Sequence, residues 1–156
     1  MVTVYVWVED LVHRNIGHAS LLVTEGLPLG QIYISWWPEK KNNGFLAAAI
    51  GVPRRMHSCL EEDMGSKNGE GRPPDSRIRI VGLNETEIKT FWSRWSSSGN
   101  YSGLLFNCAT TVAEALREGG GDRLVPGWDL PTVCGPRDVR RYATQIGGAL
   151  AKAQSA

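Results

Sequence analysis

Patterns typical of strands and patterns typical of helices are segregated along this chain, and their order limits the possible folds. Four segments rich in β-branched, aromatic or alternating residues predict strands: residues 2–8, 17–24, 30–37 and 77–83. The second and third of these are joined by residues 25–29, a length and composition typical of a hairpin connection. Helical patterns come later in the chain. Strands first and helices last predict an α+β fold with a small antiparallel β-sheet packed against helices.

Three helices are predicted in the second half of the chain, over residues 84–96, 108–118 and 137–152. Asn84 to Glu87 has the form of a capping box, and Asn107 is a good N-cap. The glycines that follow residue 118 end the second helix. Residues 39–76 carry no clear pattern, and their last third has the composition of a loop.

Size and charge exclude several classes of protein. The chain has 156 residues, which fits a single domain over residues 1–156. A net charge of +1 without a basic stripe argues against a nucleic-acid partner. The longest apolar run, Phe45 to Val52, is too short for an integral membrane segment. Because residues 1–6 lack a signal-peptide pattern, we expect a protein that is cytoplasmic as made.

The three cysteines, Cys59, Cys108 and Cys134, predict free thiols in a reducing compartment, because their number is odd and their spacing irregular. His57 and Cys59 form a His-x-Cys pair, but no second pair completes a zinc site. We therefore predict no metal and no cofactor.

Pairing of the predicted hairpin places one histidine on a polar face of the sheet. If Val23 pairs with Gly30, Leu21 faces Ile32 on the apolar side. The same register sets His18 opposite Ser35 on the other side. Trp36 and Trp37 then point to opposite faces, so that one is in the core and the other lines a substrate groove.

Cys108 follows the predicted N-cap Asn107 and lies in the first turn of an amphipathic helix. Unpaired backbone N–H groups and the helix dipole favour a thiolate there, and the same N–H groups can hold an oxyanion. Together with His18 on the sheet, this arrangement is typical of catalysis by an activated cysteine. The alternative is that Cys108 is a small buried hydrophobic residue.

Three motifs then give a resemblance to a known family: Gly17-His18-Ala19-Ser20-Leu21, Tyr33-Ile34-Ser35-Trp36-Trp37-Pro38 and Asn107-Cys108-Ala109-Thr110. In this order they resemble the circularly permuted papain-like hydrolases, which include the permuted NlpC-type peptidases and the lecithin–retinol acyltransferase-like proteins. In that group the histidine strand precedes the cysteine helix, as it does here. The resemblance runs from residue 2 to residue 120 and implies a permuted papain-like fold.

The resemblance also implies roles for individual residues. Cys108 would be the nucleophile and His18 the base, with a polar residue of the next strand orienting the histidine. The hairpin register offers Ser35 for that third position, with Gln31 and Glu39 as substitutes. Substrate or oxyanion contacts are predicted from Asn107, Trp37 and Tyr33.

Acyl transfer through a thioester on Cys108 is therefore the predicted chemistry. Among the possible substrates we favour an amide bond of a peptide, isopeptide or peptidoglycan-type partner, because no strong membrane anchor for lipid chemistry is visible. An acyltransferase or deamidase with the same Cys-His pair, and a non-catalytic binding module on the same fold, are the alternatives. The resemblance further suggests a toxin or effector domain delivered by a secretion apparatus, with a cognate immunity or delivery protein as partner.

Overall fold

The computed structural model describes residues 1–10, 12, 15–24, 30–39, 51–97, 101–102, 106–129 and 131–155. The predicted hairpin connection, residues 25–29, and most of the apolar run from Phe45 to Val52 lie outside these described residues.

The strands in the described residues are β1 (Val2–Trp7), β2 (His18–Val23), β3 (Ile32–Ser35), β4 (Trp37–Pro38), β5 (Arg54–Arg55) and β6 (Ser76–Ile80). The helices are α1 (Leu60–Met64), α2 (Glu85–Ser97), α3 (Cys108–Glu118), α4 (Gly121–Leu124) and α5 (Pro136–Gln154).

A four-stranded antiparallel sheet with the strand order β3-β2-β1-β6 forms the centre of the fold, and β4 and β5 pair as a separate two-stranded ribbon. One face of the sheet packs on α3 and α5, through fully buried residues such as Val4, Leu21 and Leu116. The predicted α+β fold with a small antiparallel sheet against helices is confirmed.

The opposite face of the sheet is also covered near the start of β2. Tyr5, Trp7 and Tyr33 form a second apolar cluster there, and Leu60 and Met64 of α1 pack against it. Burial on both sides explains why β1 carries apolar residues almost throughout instead of alternating with polar ones. This second layer is where the polar side chains of β2 and β3 are enclosed.

The predicted hairpin register is wrong by two residues. Leu21 pairs with Ile34 and Val23 with Ile32, so Ser20 rather than His18 lies opposite Ser35. A slip of two residues leaves every side chain on its predicted face, because side chains alternate with a period of two. The alternating pattern alone therefore could not separate the two registers.

The predicted helices are confirmed, and α3 has the predicted bounds. Asn84 Oδ1 accepts from the backbone N–H of Glu87 at 3.3 Å, as its capping role requires. Sequence patterns did not predict α1, α4 or β5, which are all five residues or shorter. The predicted strand over residues 30–37 is interrupted at Trp36. In the part of the chain that the structure describes, no helix combines the length and apolar character needed to cross a bilayer.

Candidate active site

His18 opens β2 and is enclosed by aromatic rings. Gly17, just before it, has φ 75°, and a Cβ there would lie 2.4 Å from the Trp7 carbonyl oxygen, so only glycine fits this turn into the strand. The His18 ring stacks on Trp37 with centroids 4.0 Å apart, and the Trp7 ring centroid lies at 5.4 Å. With only 1% of its surface exposed, His18 is held in one position.

Cys108 begins α3, and its position is set by the residue before it. Asn107 Oδ1 accepts from the Thr110 backbone N–H at 2.8 Å, which confirms the predicted N-cap. Asn107 Nδ2 donates to the Cys134 carbonyl at 3.0 Å, which ties the start of α3 to the segment before α5. Cys108 itself is buried and packs with Trp36 and other apolar residues.

The fold brings His18 and Cys108 together although they are far apart in sequence. Helix α3 packs on β2, which brings Cys108 close enough to His18 for an electrostatic interaction between the two side chains. Burial lowers the pKa of His18, but the Asp63 carboxylate and the charge of Cys108 outweigh it and raise the pKa from 6.5 to about 10. At neutral pH the ring is therefore an imidazolium that is paired with the Asp63 carboxylate.

Asp63, on α1, is the centre of a buried polar cluster beneath His18. Its side chain is fully buried and accepts five hydrogen bonds. The donors to Oδ1 are Ser35 Oγ (2.7 Å), His57 Nδ1 (2.8 Å) and Trp37 Nε1 (2.8 Å), and the donors to Oδ2 are Tyr33 OH (2.5 Å) and His18 Nε2 (3.2 Å). We call these six residues the Asp63 cluster.

These donors keep Asp63 ionised despite its burial. Burial raises the pKa of its carboxyl, but the charge of His18 and the donated hydrogen bonds hold that pKa far below the ordinary 3.8. Burial and the Asp63 charge raise the pKa of Tyr33, so its hydroxyl stays protonated and donates. His18 and Asp63 thus form a buried ion pair whose remaining lone pairs are satisfied.

The pH dependence of stability should report this ion pair. Because the pKa of His18 rises from 6.5, its stabilisation is complete below pH 6.5 and is lost as the pH rises through about 10. Because the pKa of Asp63 falls below 3.8, its stabilisation is present above pH 3.8 and is lost in more acidic solution. We expect the difference in melting temperature between the wild type and Asp63→Asn to be largest between these limits. A difference in melting temperature that grows above pH 6.5 would contradict a buried ion pair between His18 and Asp63.

Of the predicted third residues, Ser35 lies beside the histidine. Its Oγ is 3.3 Å from His18 Nε2, and it also donates to Asp63. Gln31 and Glu39 are exposed, and the structure describes no contact between either side chain and His18. Ser35 and an acidic residue from another segment, Asp63, therefore both lie beside the histidine, and the role of Ser35 stays a prediction.

Three predicted substrate or oxyanion residues lie in or beside this buried layer. Tyr33 and Trp37 are buried and donate to Asp63. The side chain of Asn107 caps α3 and bonds the Cys134 carbonyl. The contacts of these residues with substrate stay predictions.

Sequence reasoning missed Asp63, which lies in the segment without a clear pattern. One local signal could have found it. Leu60, Asp63 and Met64 fall on one face of a helical turn, and both apolar members pack against the sheet. An aspartate between two apolar residues on the inward face of one helix is expected to have buried partners.

Comparison with known proteins places the chain in a family. The model of the IcsB middle domain matches residues 52–156, about two thirds of the chain, including His57, Asp63 and Cys108 but not His18. The chain is also 35% identical over 68 residues to the "Multifunctional-autoprocessing repeats-in-toxin" of Vibrio vulnificus. That alignment covers 42% of this chain and 1% of the toxin, so the chain spans only a very small part of that protein. Both matches indicate a domain related to bacterial effectors and toxins, and the chain belongs to the IcsB middle domain family.

Proposed function

We propose that this chain is a thiol acyl-transfer enzyme in which Cys108, His18 and Asp63 form the catalytic triad. One observation carries the proposal: a fully buried imidazole lies between a buried carboxylate and the cysteine that begins α3. Nucleophile, base and orienting acid in this order are the arrangement that activates a thiol for attack on a carbonyl. Ser35 supports the triad by donating to Asp63.

Each group has a place in the reaction. His18 directs Nε2 to Asp63, which leaves Nδ1 for Cys108. The Cys108 thiolate attacks the substrate carbonyl, a carbon–sulfur bond forms, and backbone N–H groups at the start of α3 hold the oxyanion. The bond to the leaving group then breaks while His18 protonates that group. His18 next takes a proton from the acceptor, which attacks the thioester and releases Cys108.

With water as the acceptor and an amide as the substrate, the product is that of the hydrolase that the sequence predicts. A specific observation favours a second candidate, an acyltransferase with an apolar acyl group. Cys108 packs in a cluster with Trp36, Val52 and Tyr101, against which Trp95 also packs. The indole N–H groups of both tryptophans donate elsewhere, to the Phe106 carbonyl and to Thr111 Oγ1, so their apolar ring surfaces line the cluster. Such a lining suits a hydrocarbon chain better than a peptide backbone.

The relationship to effectors and toxins supports a role after delivery into another cell. We propose a protein or peptide of that cell as the substrate, or as the acceptor of the acyl group. A cognate immunity or delivery protein stays part of this proposal.

Selective alkylation tests the proposed function. At neutral pH, iodoacetamide should modify Cys108 faster than Cys59 or Cys134, because the helix start and His18 both favour the Cys108 thiolate. Cys134 is buried, and burial together with the charges of Asp138 and Cys108 raises its pKa to about 12. The measurement is peptide mass mapping over time.

The matched control is His18→Gln, which keeps a polar side chain of similar size and removes the base. Alkylation of Cys108 should be about tenfold slower or more in this variant, while Cys59 should keep its rate. Labelling of the denatured protein corrects for burial. If His18→Gln leaves the rate at Cys108 unchanged, the pair is not activated and the proposed function fails.

A further inference from the structure

A second histidine lies on the far side of Asp63 from the catalytic pair. His57 is buried, and its Nδ1 is 2.8 Å from Asp63 Oδ1. Its ring lies beside Trp37, with centroids 5.6 Å apart. The two imidazoles therefore bond different oxygens of the same carboxylate, although the mechanism above needs only one of them.

Arg55 determines which nitrogen of His57 carries the proton. Its Nε donates to His57 Nε2 at 3.2 Å. A guanidinium stays protonated and can only donate, so His57 Nε2 must accept and has no proton. The proton of the ring is then on Nδ1, where it is donated to Asp63. His57 is thus a neutral donor in this arrangement.

Arg55 is itself held in place. It lies opposite Trp37 in the β4–β5 ribbon, and its Nη2 donates to the Asn68 carbonyl at 2.6 Å. Its Nη1 donates to Asn68 Oδ1 and to the Glu39 carbonyl, both at 3.4 Å. These contacts orient the guanidinium toward His57.

The neutral state of His57 matters because of the charges around Asp63. The titratable groups that face Asp63 are His18 from β2, Tyr33 from β3 and His57, with Arg55 behind His57 and Cys108 beyond His18. If His57 were an imidazolium, it would compete with His18 for the same negative charge. A neutral donor holds the carboxylate in place and leaves its charge to His18.

We propose that Arg55 and His57 are positioning residues: Arg55 keeps His57 neutral, and His57 orients Asp63 without taking its charge from His18. This proposal rests on the proposed function, because it assumes that the His18–Cys108 pair is the reactive one. It adds Arg55 and His57 to the residues that support the triad. Neither the family resemblance nor a sequence pattern had given these two residues a role.

The test is the pH dependence of Cys108 alkylation by iodoacetamide, expressed as the ratio of variant to wild-type rate. In Arg55→Met, His57 can take up a proton in mildly acidic solution. The ratio should be near unity in alkaline solution and fall about tenfold in mildly acidic solution, because a protonated His57 would compete with His18 for the charge of Asp63. The double variant Arg55→Met/His57→Asn should restore a flat ratio, because asparagine donates to Asp63 and cannot be protonated.

A purely structural role of Arg55 would lower the rate at every pH and would not be rescued by His57→Asn. A flat ratio in Arg55→Met, or a double variant as impaired in acid as the single one, overturns the proposal. In either case a slow His18→Gln variant would show that the proposed function still holds. If His18→Gln alkylates as fast as the wild type, the proposed function fails and this proposal with it.

A measurement on the wild type covers the case in which Arg55→Met does not fold. Nitrogen-15 NMR of the histidine side chains distinguishes the two neutral tautomers and the imidazolium. At neutral pH, His57 should carry its proton on Nδ1 and His18 should be protonated on both nitrogens. A His57 ring protonated on Nε2 overturns the proposal.

Discussion

Replacing Asp63 by alanine should lower the free energy of unfolding by about 3–5 kcal/mol, because it removes one partner of a buried ion pair. The imidazolium of His18 would lose its buried counter-ion. The hydroxyl of Tyr33 and the indole N–H of Trp37 would each lose the acceptor that they have in the fold. A buried donor without an acceptor costs its full desolvation free energy. The unpaired donors of Tyr33 and Trp37 therefore lower the stability further, beyond the loss of the ion pair. Urea denaturation followed by tryptophan fluorescence measures the change.

Asp75→Ala is the matched control for this prediction. Asp75 accepts from the Val8 backbone N–H at 2.7 Å and pairs with Arg72, but its side chain is 39% exposed. Water can replace these partners, so we expect a loss of about 1 kcal/mol or less. If Asp63→Ala costs no more than Asp75→Ala, the Asp63 cluster is not what holds α1 against the sheet.

The positions of His18 and Cys108 in the fold could be predicted because each residue lies beside a local signal. Asn107 marks the start of α3 through hydrogen bonds to residues within four positions of it. Such local contacts can be predicted from the sequence alone. His18 follows a glycine that the turn requires, at the start of an alternating strand. The order of the two motifs along the chain, with the histidine strand before the cysteine helix, then gave the family resemblance that predicts that His18 and Cys108 act together.

Asp63 could not be predicted in the same way, because its burial depends on partners from three other segments. His18 and Tyr33 reach it across the polar face of the sheet, and His57 reaches it from the segment after β5. The helix that carries Asp63 has five residues, too few for a periodic pattern. The hairpin register failed for a related reason, since an even slip preserves the faces. That residues 1–156 form a single domain, and that the fold is permuted papain-like, stay predictions.

Cys108→Ala should abolish thioester formation while leaving the fold nearly intact. Loss of a catalytic nucleophile costs several orders of magnitude in rate, about 10⁶-fold in a well-studied triad. Cys108 is in the first turn of α3, where alanine is a good helix former and Asn107 still caps the helix. The sulfur fills little volume, so the free energy of unfolding should fall by about 1 kcal/mol or less. Intact-mass spectrometry after incubation with peptide amides, and separately with acyl thioesters, detects the acyl adduct and identifies the preferred donor.

Leu21→Ala is the control that separates chemistry from stability. Leu21 lies on β2, the strand that His18 begins, but its side chain is fully buried on the opposite face, against α3 and α5. Its truncation should cost about 2–5 kcal/mol through lost burial and a residual cavity. At a temperature where this variant is still folded, it should form the adduct that Cys108→Ala cannot form. If Cys108→Ala unfolds as readily as Leu21→Ala, the cysteine is a core residue, and the chain is a binding module rather than an enzyme.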